Sequence, residues 1–200
     1  MNTAFYDLAK ATVRATARVL WRARVFGAEN VPAEGPLIVA CNHVSYLDPP
    51  LMGCLCPRRI SYMAKKELFE VPMLGAVIRD LGAYAVDRKG SATSAIRRSL
   101  QVLKAGGAVG IFPEGTRNRT GEIQPQTGVA LLASLAKAPV VPAFIRGSDR
   151  ALRFNRIDVS FGPPISPLAG RKATREDLAK FTAEVMKTIE LLAGSIGGNT

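Results

Sequence analysis

The sequence is poor in the residues that form disulfides, metal sites and aromatic surfaces. Its 200 residues include one histidine, three cysteines and one tryptophan, and aromatic residues make up 6%. The odd number of cysteines argues against a disulfide framework. Asp7, Lys10 and Arg14 interrupt the apolar core that a secretory leader would need. We therefore expect reduced thiols in a cytosolic compartment.

Long apolar runs are missing as well. The run Val129–Ala136, for example, ends at Lys137, well short of the roughly 18–20 residues that span a bilayer. Hydrophobic residues nevertheless make up 48% of the chain, which excludes a disordered or collagen-like protein. A chain of this length and composition is expected to fold around its own hydrophobic core.

Acidic residues are scarce relative to basic ones. Asp and Glu number 16 against 27 Lys and Arg, so the net charge is +11 at pH 7. Such a surface favours an anionic partner: nucleic acid, an acidic membrane leaflet, an acidic carrier protein or a phosphorylated substrate. We predict no nucleic-acid partner, because the few aromatic residues do not alternate with basic ones as they do in a stacking surface.

The first 26 residues show the pattern of an amphipathic helix. Lys10, Arg14, Arg18 and Arg22 recur every four residues, opposite an apolar arc. Such a stripe suits an anionic membrane, because the bases meet lipid phosphates while the apolar arc enters the acyl boundary. We predict that residues 1–26 form one helical unit that binds the cytoplasmic face of the cell membrane peripherally through these bases. The alternative is a surface helix whose apolar arc packs on its own domain.

From residue 27 onward, short apolar runs alternate with helical segments. This alternation predicts an α/β fold with a mainly parallel (mixed) central sheet flanked by helices. We assign residues 27–195 to this domain and residues 196–200 to a flexible tail. In such folds ligands bind at the carboxyl ends of the strands. The predicted strands are Leu37–Cys41, Ile60–Ala64, Ala83–Asp87, Ala108–Phe112, Val140–Ile145 and Ile157–Phe161, and the predicted helices are Pro49–Leu55, Pro72–Leu81, Ser91–Ala105, Gln126–Ala136 and Thr174–Ser195.

The single histidine, His43, lies two residues after the first predicted strand. Asp48 follows at the predicted start of a helix, where a carboxylate can cap free N–H groups. A loop of this length can fold back so that the carboxylate accepts a hydrogen bond from one imidazole nitrogen, which leaves the other nitrogen as a general base. The alternative is a histidine without a catalytic role beside a capping aspartate.

A metal site is not predicted, although Cys41, His43, Cys54 and Cys56 lie close together in the sequence. Their C-x-H and C-x-C spacings differ from those of zinc sites. Cysteine is also common as a small buried residue, and Cys41 closes an apolar strand.

A second polar segment follows the strand Ala108–Phe112 and contains Glu114 and Arg117. Arginine offers a planar donor fork that suits a phosphate, and a nearby glutamate can orient it. Two other basic segments, residues 65–66 and 88–89, also follow predicted strands. We expect the three segments to form an anion site at the strand ends. The alternative is a structural loop with solvated arginines.

Two motifs carry a resemblance to a known family. Asn42-His43, with Asp48 after four further residues, precedes Phe-Pro-Glu-Gly-Thr-Arg at residues 112–117. The segments 82–88 and 140–145 match two further blocks. Over roughly residues 27–170, the sequence resembles the glycerolipid acyltransferases, most of all the bacterial lysophosphatidate acyltransferases.

The resemblance implies transfer of a fatty acyl group from a thioester to the sn-2 hydroxyl of lysophosphatidate, which gives phosphatidate for phospholipid synthesis. The donor is acyl-coenzyme A or acyl-carrier protein, and no cofactor or metal is implied. Related enzymes use glycerol 3-phosphate or other lysolipids, so these acceptors are alternatives. A non-catalytic lipid-binding module is a further alternative, which would not need a histidine paired with an aspartate.

The resemblance also assigns roles to individual residues. His43 is implied as the general base that deprotonates the acceptor hydroxyl, and Asp48 as the residue that orients it. The remaining implied residues bind the acceptor, with Arg117 and Arg88 on its phosphate and the two lysines as further candidates: Lys65, Lys66, Arg88, Glu114, Gly115, Thr116 and Arg117.

Overall fold

The computed structural model of the chain describes residues 3–72, 74–80, 82–86, 92–118, 124–167 and 173–197. These ranges contain six α-helices and seven strands, together with short 3-10 turns. In chain order the elements are α1 (Thr3–Leu20), β1 (Arg24–Phe26), β2 (Leu37–Cys41), α2 (Asp48–Leu55), β3 (Ile60–Lys65), α3 (Leu74–Asp80), β4 (Tyr84–Val86), α4 (Ala92–Lys104), β5 (Ala108–Ile111), α5 (Gly128–Ala136), β6 (Val140–Arg146), β7 (Asp158–Phe161) and α6 (Arg175–Gly197).

The strands form one sheet in the order β1-β7-β6-β2-β5-β3-β4. Neighbours from β6 to β4 pair in parallel, whereas β7 pairs antiparallel with β6 and parallel with β1. The predicted mixed, mainly parallel sheet flanked by helices is therefore confirmed. The carboxyl ends of β2 to β6 share one edge of the sheet, which we call the site edge.

The central strand β2 is buried on both faces, because helices cover each side of the sheet. On one face Val39 belongs to a core cluster with Met52 of α2 and Ala17 of α1. On the other face Ile38 belongs to a cluster with Leu132 of α5 and residues of α4 and α6. A strand that is apolar on both faces is typical of a parallel sheet.

The N-terminal region corrects the expectation of one helical unit over residues 1–26. The helix α1 ends at Leu20, and the N–H of Ala23 then donates to the carbonyl of Ala17 at 3.1 Å. Arg22 takes a left-handed φ of 46°, which turns the chain into β1. Residues 24–26 therefore belong to the sheet, where they pair with β7. A strand of three residues is too short to show an alternation of apolar and polar residues in the sequence, and it forms because β7 pairs with it.

The other predicted helices and strands differ from the observed ones by no more than two residues at their ends. The final helix continues to Gly197, two residues into the predicted tail, and residues 198–200 lie outside the described residues. The strand predicted at Ala83–Asp87 covers Tyr84–Val86, and Asp87 also lies outside them. Within the described ranges, no helix combines the length and apolarity needed to cross a membrane.

The cysteines are free thiols in the core. Cys41, Cys54 and Cys56 are all buried, and burial raises the pKa of Cys56 to about 11. Burial disfavours the thiolate, so these residues pack as small apolar side chains. Among the side chains that the structure describes, no group of three or more His, Cys, Asp or Glu is placed to hold a metal ion.

Candidate active site

His43 and Asp48 form a hydrogen-bonded pair at the site edge. His43 lies in the loop after β2, and Asp48 is the first residue of α2. The histidine Nδ1 is 2.9 Å from Asp48 Oδ2, so the contact expected from their spacing is confirmed. The side chain of Asp48 is fully buried, whereas that of His43 is 16% exposed. Because Nδ1 is engaged, Nε2 is the ring nitrogen that can meet a substrate.

The carboxylate of Asp48 also organises the loop before it. Its Oδ2 accepts the N–H groups of Val44 and Ser45, each at 2.7 Å. The expected cap on the following helix is therefore not formed. Pro49 and Pro50 have no N–H to offer, and the N–H of Leu51 donates to the carbonyl of Leu47 at 3.0 Å. The carboxylate turns back to the loop and holds it around the histidine.

An aromatic stack supports the histidine ring. The ring of His43 stacks on Phe112 with centroids 4.2 Å apart and planes inclined by 22°. Phe112 stacks in turn on Tyr62, at 5.8 Å. Gly110 makes room for this tyrosine, because a Cβ there would lie 2.0 Å from its ring. The stack and the Asp48 bond together restrict the imidazole to one orientation.

Glu114 and Asn118 hold the main chain of His43 from the loop after β5. The N–H of His43 donates to Glu114 Oε2 at 2.7 Å, and its carbonyl accepts the N–H of Asn118 at 2.7 Å. Glu114 is only 5% exposed. Burial raises the pKa of its carboxyl group, and the hydrogen bond from His43 partly offsets that rise. The sequence predicts an acceptor-site role for Glu114, but the structure places its carboxylate on the histidine main chain.

Asn42 ties the histidine loop to β6. Its side-chain N–H donates to the carbonyl of Ile145 at 3.0 Å, and its Oδ1 accepts the N–H of Ile145 at 2.8 Å. This two-way bond continues the β2–β6 pairing beyond the last strand residue. The loop that carries His43 is thus anchored to β6 on one side and to the β5 loop on the other.

Arg117 lies over the ring of Tyr46, with its guanidinium carbon 3.6 Å from the ring centroid. Tyr46 is 75% exposed, so the pair forms part of the protein surface near His43. Gly115 and Thr116, also exposed, precede the arginine, and Gly115 adopts a left-handed φ of 69°. Glycine adopts that conformation without the steric cost of a Cβ. Sequence analysis missed Tyr46, although it lies within the histidine motif.

Of the other predicted anion-site residues, the structure describes the side chain of Lys66 but not those of Lys65 and Arg88. Lys66 is exposed in the 3-10 turn that follows β3, at the site edge. Lys65 ends β3, and its side chain is outside the described part of the structure. Arg88 lies outside the described residues. The convergence of the three basic segments on one anion stays a prediction.

The four predicted membrane-binding bases do not form one outward stripe. Lys10 Nζ donates to the carbonyl of Pro57 at 3.3 Å, and Arg14 is half-buried. Arg18 and Arg22 are exposed. The difference arises because α1 packs on α2 through the side of the helix that carries Lys10 and Arg14.

A cleft of about 460 Å³ opens beside the histidine loop, between the ends of β2 and β6. The rule that places ligands at strand ends could have singled out Arg146 and Gly147, since both follow the predicted strand Val140–Ile145. Asn42 and Val44, the two neighbours of His43 in the sequence, line this cleft, whereas His43 itself does not. The cleft is lined by Asn42, Val44, Asn118, Phe144, Ile145, Arg146, Gly147 and Asp149.

Comparison with known proteins finds similar sequences among acyltransferases. The family model described as Acyltransferase matches residues 22–146. The 1-acyl-sn-glycerol-3-phosphate acyltransferase of Bacillus subtilis (strain 168) is 38% identical over 178 residues, which cover 86% of this chain and 89% of that protein. The enzyme of the same name from Streptococcus pneumoniae is 33% identical over 157 residues, or 76% of this chain and 55% of that protein.

A solved structure has the same fold. The crystal structure of the 1-acyl-sn-glycerophosphate acyltransferase from Thermotoga maritima matches with a TM-score of 0.76 and 26% sequence identity. The match covers 94% of this chain and 79% of that one. The matched family model spans more than half of the sequence and includes both the histidine loop and the loop after β5. The chain belongs to the acyltransferase family.

Proposed function

We propose that the protein transfers a fatty acyl group from a thioester to the sn-2 hydroxyl of lysophosphatidate and so makes phosphatidate for phospholipid synthesis. Family membership supports the acyl transfer, and the names of the similar bacterial enzymes support the acceptor. The observation that carries the proposal is the bond between His43 Nδ1 and the buried Asp48 carboxylate, in a loop that flanks an open cleft.

In this mechanism His43 is the general base. Its Nε2 takes the proton of the acceptor hydroxyl as the hydroxyl oxygen attacks the thioester carbonyl carbon. The tetrahedral intermediate then collapses, so that a C–O ester bond replaces the C–S bond. The proton on the imidazolium passes to the departing thiolate sulfur. Both substrates are bound together, and no acyl-enzyme forms.

Asp48 acts through the histidine. Its carboxylate holds the Nδ1–H tautomer, which directs the basic Nε2 away from the carboxylate. It also stabilises the positive charge that develops on the ring in the transition state, because opposite charges attract strongly where burial excludes water. The stack on Phe112 keeps the ring from rotating out of this position.

The acceptor phosphate is proposed to bind at the loop after β5. Arg117 offers a planar donor fork for phosphate oxygens, and its position over Tyr46 places it on the surface near His43. The exposed Gly115 and Thr116 border the same position. Arg88, with Lys65 or Lys66, completes the phosphate site in the proposal. Glu114 is assigned a positioning role, because its carboxylate is committed to the His43 main chain.

Charge and chemistry support the proposed acyl donor and the proposed location of the protein. Coenzyme A and acyl-carrier protein are both anionic, and a protein with a net charge of +11 attracts either one. The acceptor is a membrane lipid, so we propose peripheral attachment to the anionic cytoplasmic face of the cell membrane. Arg18 and Arg22 are the exposed bases of α1 available for that attachment.

The test is release of free thiol from acyl-coenzyme A and from acyl-carrier protein, with lysophosphatidate, glycerol 3-phosphate or lysophosphatidylcholine as acceptor. We expect release that requires lysophosphatidate, with phosphatidate as the product. Release with one of the other acceptors alone would keep the chemistry and change the acceptor. Folded, vesicle-bound protein that releases no thiol with any acceptor would contradict the proposal and favour a non-catalytic lipid-binding module.

A further inference from the structure

The helix α1 exposes part of its apolar arc to solvent. Leu8 and Val19 are 67% and 77% exposed, whereas Ala17, on the opposite side of the helix, is fully buried. An amphipathic helix on the surface of a soluble domain ordinarily packs its apolar arc inward. Here Leu8 and Val19 are not packed on the domain, whereas Val13 of the same arc is half-buried.

A second exposed apolar feature lies between β6 and β7. In the 3-10 segment Ser148–Arg153 and the residue after it, Leu152 is 94% exposed and Phe154 is 58% exposed. Phe154 has a left-handed φ of 49°, an uncommon conformation for a bulky residue. Its N–H donates to the carbonyl of Ala151 at 3.0 Å. Two large apolar side chains are thus held in solvent by a defined turn.

The two features are joined by direct hydrogen bonds. Trp21, at the end of α1, donates its indole N–H to the carbonyl of Ala151 at 2.7 Å. The carbonyl of Trp21 accepts the N–H of Ile157 at 3.1 Å. Because β6 ends and β7 begins at the site edge, the exposed turn also lies at that edge. We call residues 15–22 and 148–156 together the site-edge rim.

The charge of the site-edge rim is almost entirely positive. Its one acidic residue, Asp149, pairs with Arg150 at 3.3 Å. Exposed arginines interspersed with exposed leucine, valine and phenylalanine match the surface of an anionic bilayer, since guanidinium groups bind lipid phosphates while apolar side chains enter the acyl boundary. The exposed bases of the rim are Arg18, Arg22, Arg150, Arg153 and Arg156.

We propose that the turn from Ser148 to Phe154 is a second bilayer-contacting element, which inserts Leu152 and Phe154 into an anionic membrane beside α1. Gly147 and Asp149 line the cleft next to the histidine loop, so the same turn forms part of the cleft wall. Insertion would seat the cleft against the bilayer, where a lysolipid acceptor resides. The identity of the acceptor in this inference rests on the proposed function, whereas the membrane contact does not.

The test uses the full chain with vesicles of phosphatidylglycerol and phosphatidylcholine. The double variant Leu152→Asn/Phe154→Asn removes both apolar groups without adding charge, and asparagine tolerates the left-handed φ at 154. The control Leu135→Asn changes a 53% exposed leucine on α5, on the other face of the sheet. We expect sedimentation with vesicles to weaken on the order of 10-fold in the double variant and to be unchanged in the control.

The single tryptophan gives a second readout. Trp21 contacts the turn directly, so brominated acyl chains are expected to quench its fluorescence in the wild type and less in the double variant. Unchanged vesicle binding and unchanged quenching in a folded double variant would overturn the proposal. The proposal would also be overturned if the wild type formed a dimer without vesicles and the same substitutions made it monomeric. The surface would then join two copies of the chain.

Failure of this inference is distinguishable from failure of the proposed function. Thiol release with a short-chain, water-soluble lysophosphatidate does not require a bilayer, so the double variant is expected to match the wild type in that assay. Weakened vesicle binding would support the membrane element even if no acceptor were active. Equal loss of turnover with the soluble acceptor and of vesicle binding would overturn the membrane element, because the substitutions would then have disturbed the fold as a whole.

Discussion

The carboxylate of Glu114 accepts the main-chain N–H of His43 at 2.7 Å, so the loop after β5 holds the histidine by its backbone. This bond joins the two motifs that stand far apart in the sequence. The ring of the same histidine is fixed separately, by Asp48 and Phe112. The main chain and the side chain of His43 are therefore positioned by different parts of the molecule.

Replacement of Glu114 tests its positioning role. Glu114→Gln keeps an acceptor oxygen of nearly the same reach and is expected to retain kcat within a few fold. Glu114→Ala leaves the His43 N–H without its partner, and loss of a charge-assisted bond of about 1.5–3 kcal/mol corresponds to roughly 10- to 100-fold in kcat. Steady-state kinetics for both substrates measure this. A rise in acceptor KM with unchanged kcat would instead make Glu114 a substrate contact.

Tyr46 is expected to act through Arg117. A cation–π contact at an exposed site is worth about 0.5–1 kcal/mol, so its loss predicts an acceptor KM raised about 2- to 5-fold. Tyr46→Leu removes the aromatic face, whereas Tyr46→Phe keeps it and should restore the wild-type KM. The donor KM is expected to stay constant in both variants. Equal acceptor KM values for the Leu and Phe variants would contradict this role.

The aromatic stack predicts a strict requirement for glycine at position 110. In Gly110→Ala the new Cβ would overlap the ring of Tyr62, which supports Phe112 beneath His43. We expect a loss of about 1–3 kcal/mol in the free energy of unfolding, with reduced turnover. Gly128→Ala is the matched control, because a Cβ there meets nothing within 4 Å. Wild-type stability of Gly110→Ala by urea unfolding would refute the packing argument.

Asp158 predicts a pH dependence of stability. Burial alone would raise the pKa of Asp158, but the hydrogen bonds from Arg24 at 2.8 Å and Arg146 at 3.2 Å outweigh it and hold the pKa below the ordinary 3.8. The folded state therefore favours the carboxylate. Its contribution is complete above pH 3.8 and is lost as the pH falls through the lowered pKa.

The variant Asp158→Asn isolates this contribution. It is expected to be about 1–3 kcal/mol less stable than the wild type at neutral pH, because both arginines lose their anionic partner. As the pH is lowered to 3, the difference in the free energy of unfolding should shrink. Urea unfolding of both proteins at several pH values measures it. A difference that stays constant across the range would show that Asp158 does not titrate as described.

The sheet and the pairing of His43 with Asp48 were accessible from sequence because their causes are local. β2, β5 and β6 are short apolar runs that are buried on both faces of the sheet, and such runs are visible without the structure. Asp48 comes five residues after His43, and a loop of this length can fold back to bring the two side chains into contact. The resemblance to a known family added roles to these residues, and the structure added their geometry.

The features that escaped prediction depend on distant parts of the chain. β1 exists because β7 offers it a partner, and Glu114 finds its partner in the loop of another motif. Amphipathicity shows which arc of α1 is apolar, but contact with α2 decides which arc faces the domain. The exposed Leu8 and Val19 could therefore be known only from the packed molecule.

The general-base role of His43 is the central claim, and acceptor-dependent thiol release by His43→Ala tests it most directly. Removal of a general base is expected to lower turnover by about 10²–10⁴-fold. The variant should still unfold cooperatively, at somewhat lower stability, because the ring stacks on Phe112 and bonds to the buried Asp48. Its vesicle binding should match that of the wild type, because none of these contacts belongs to the site-edge rim. Turnover of folded His43→Ala within a few fold of the wild type would contradict the account.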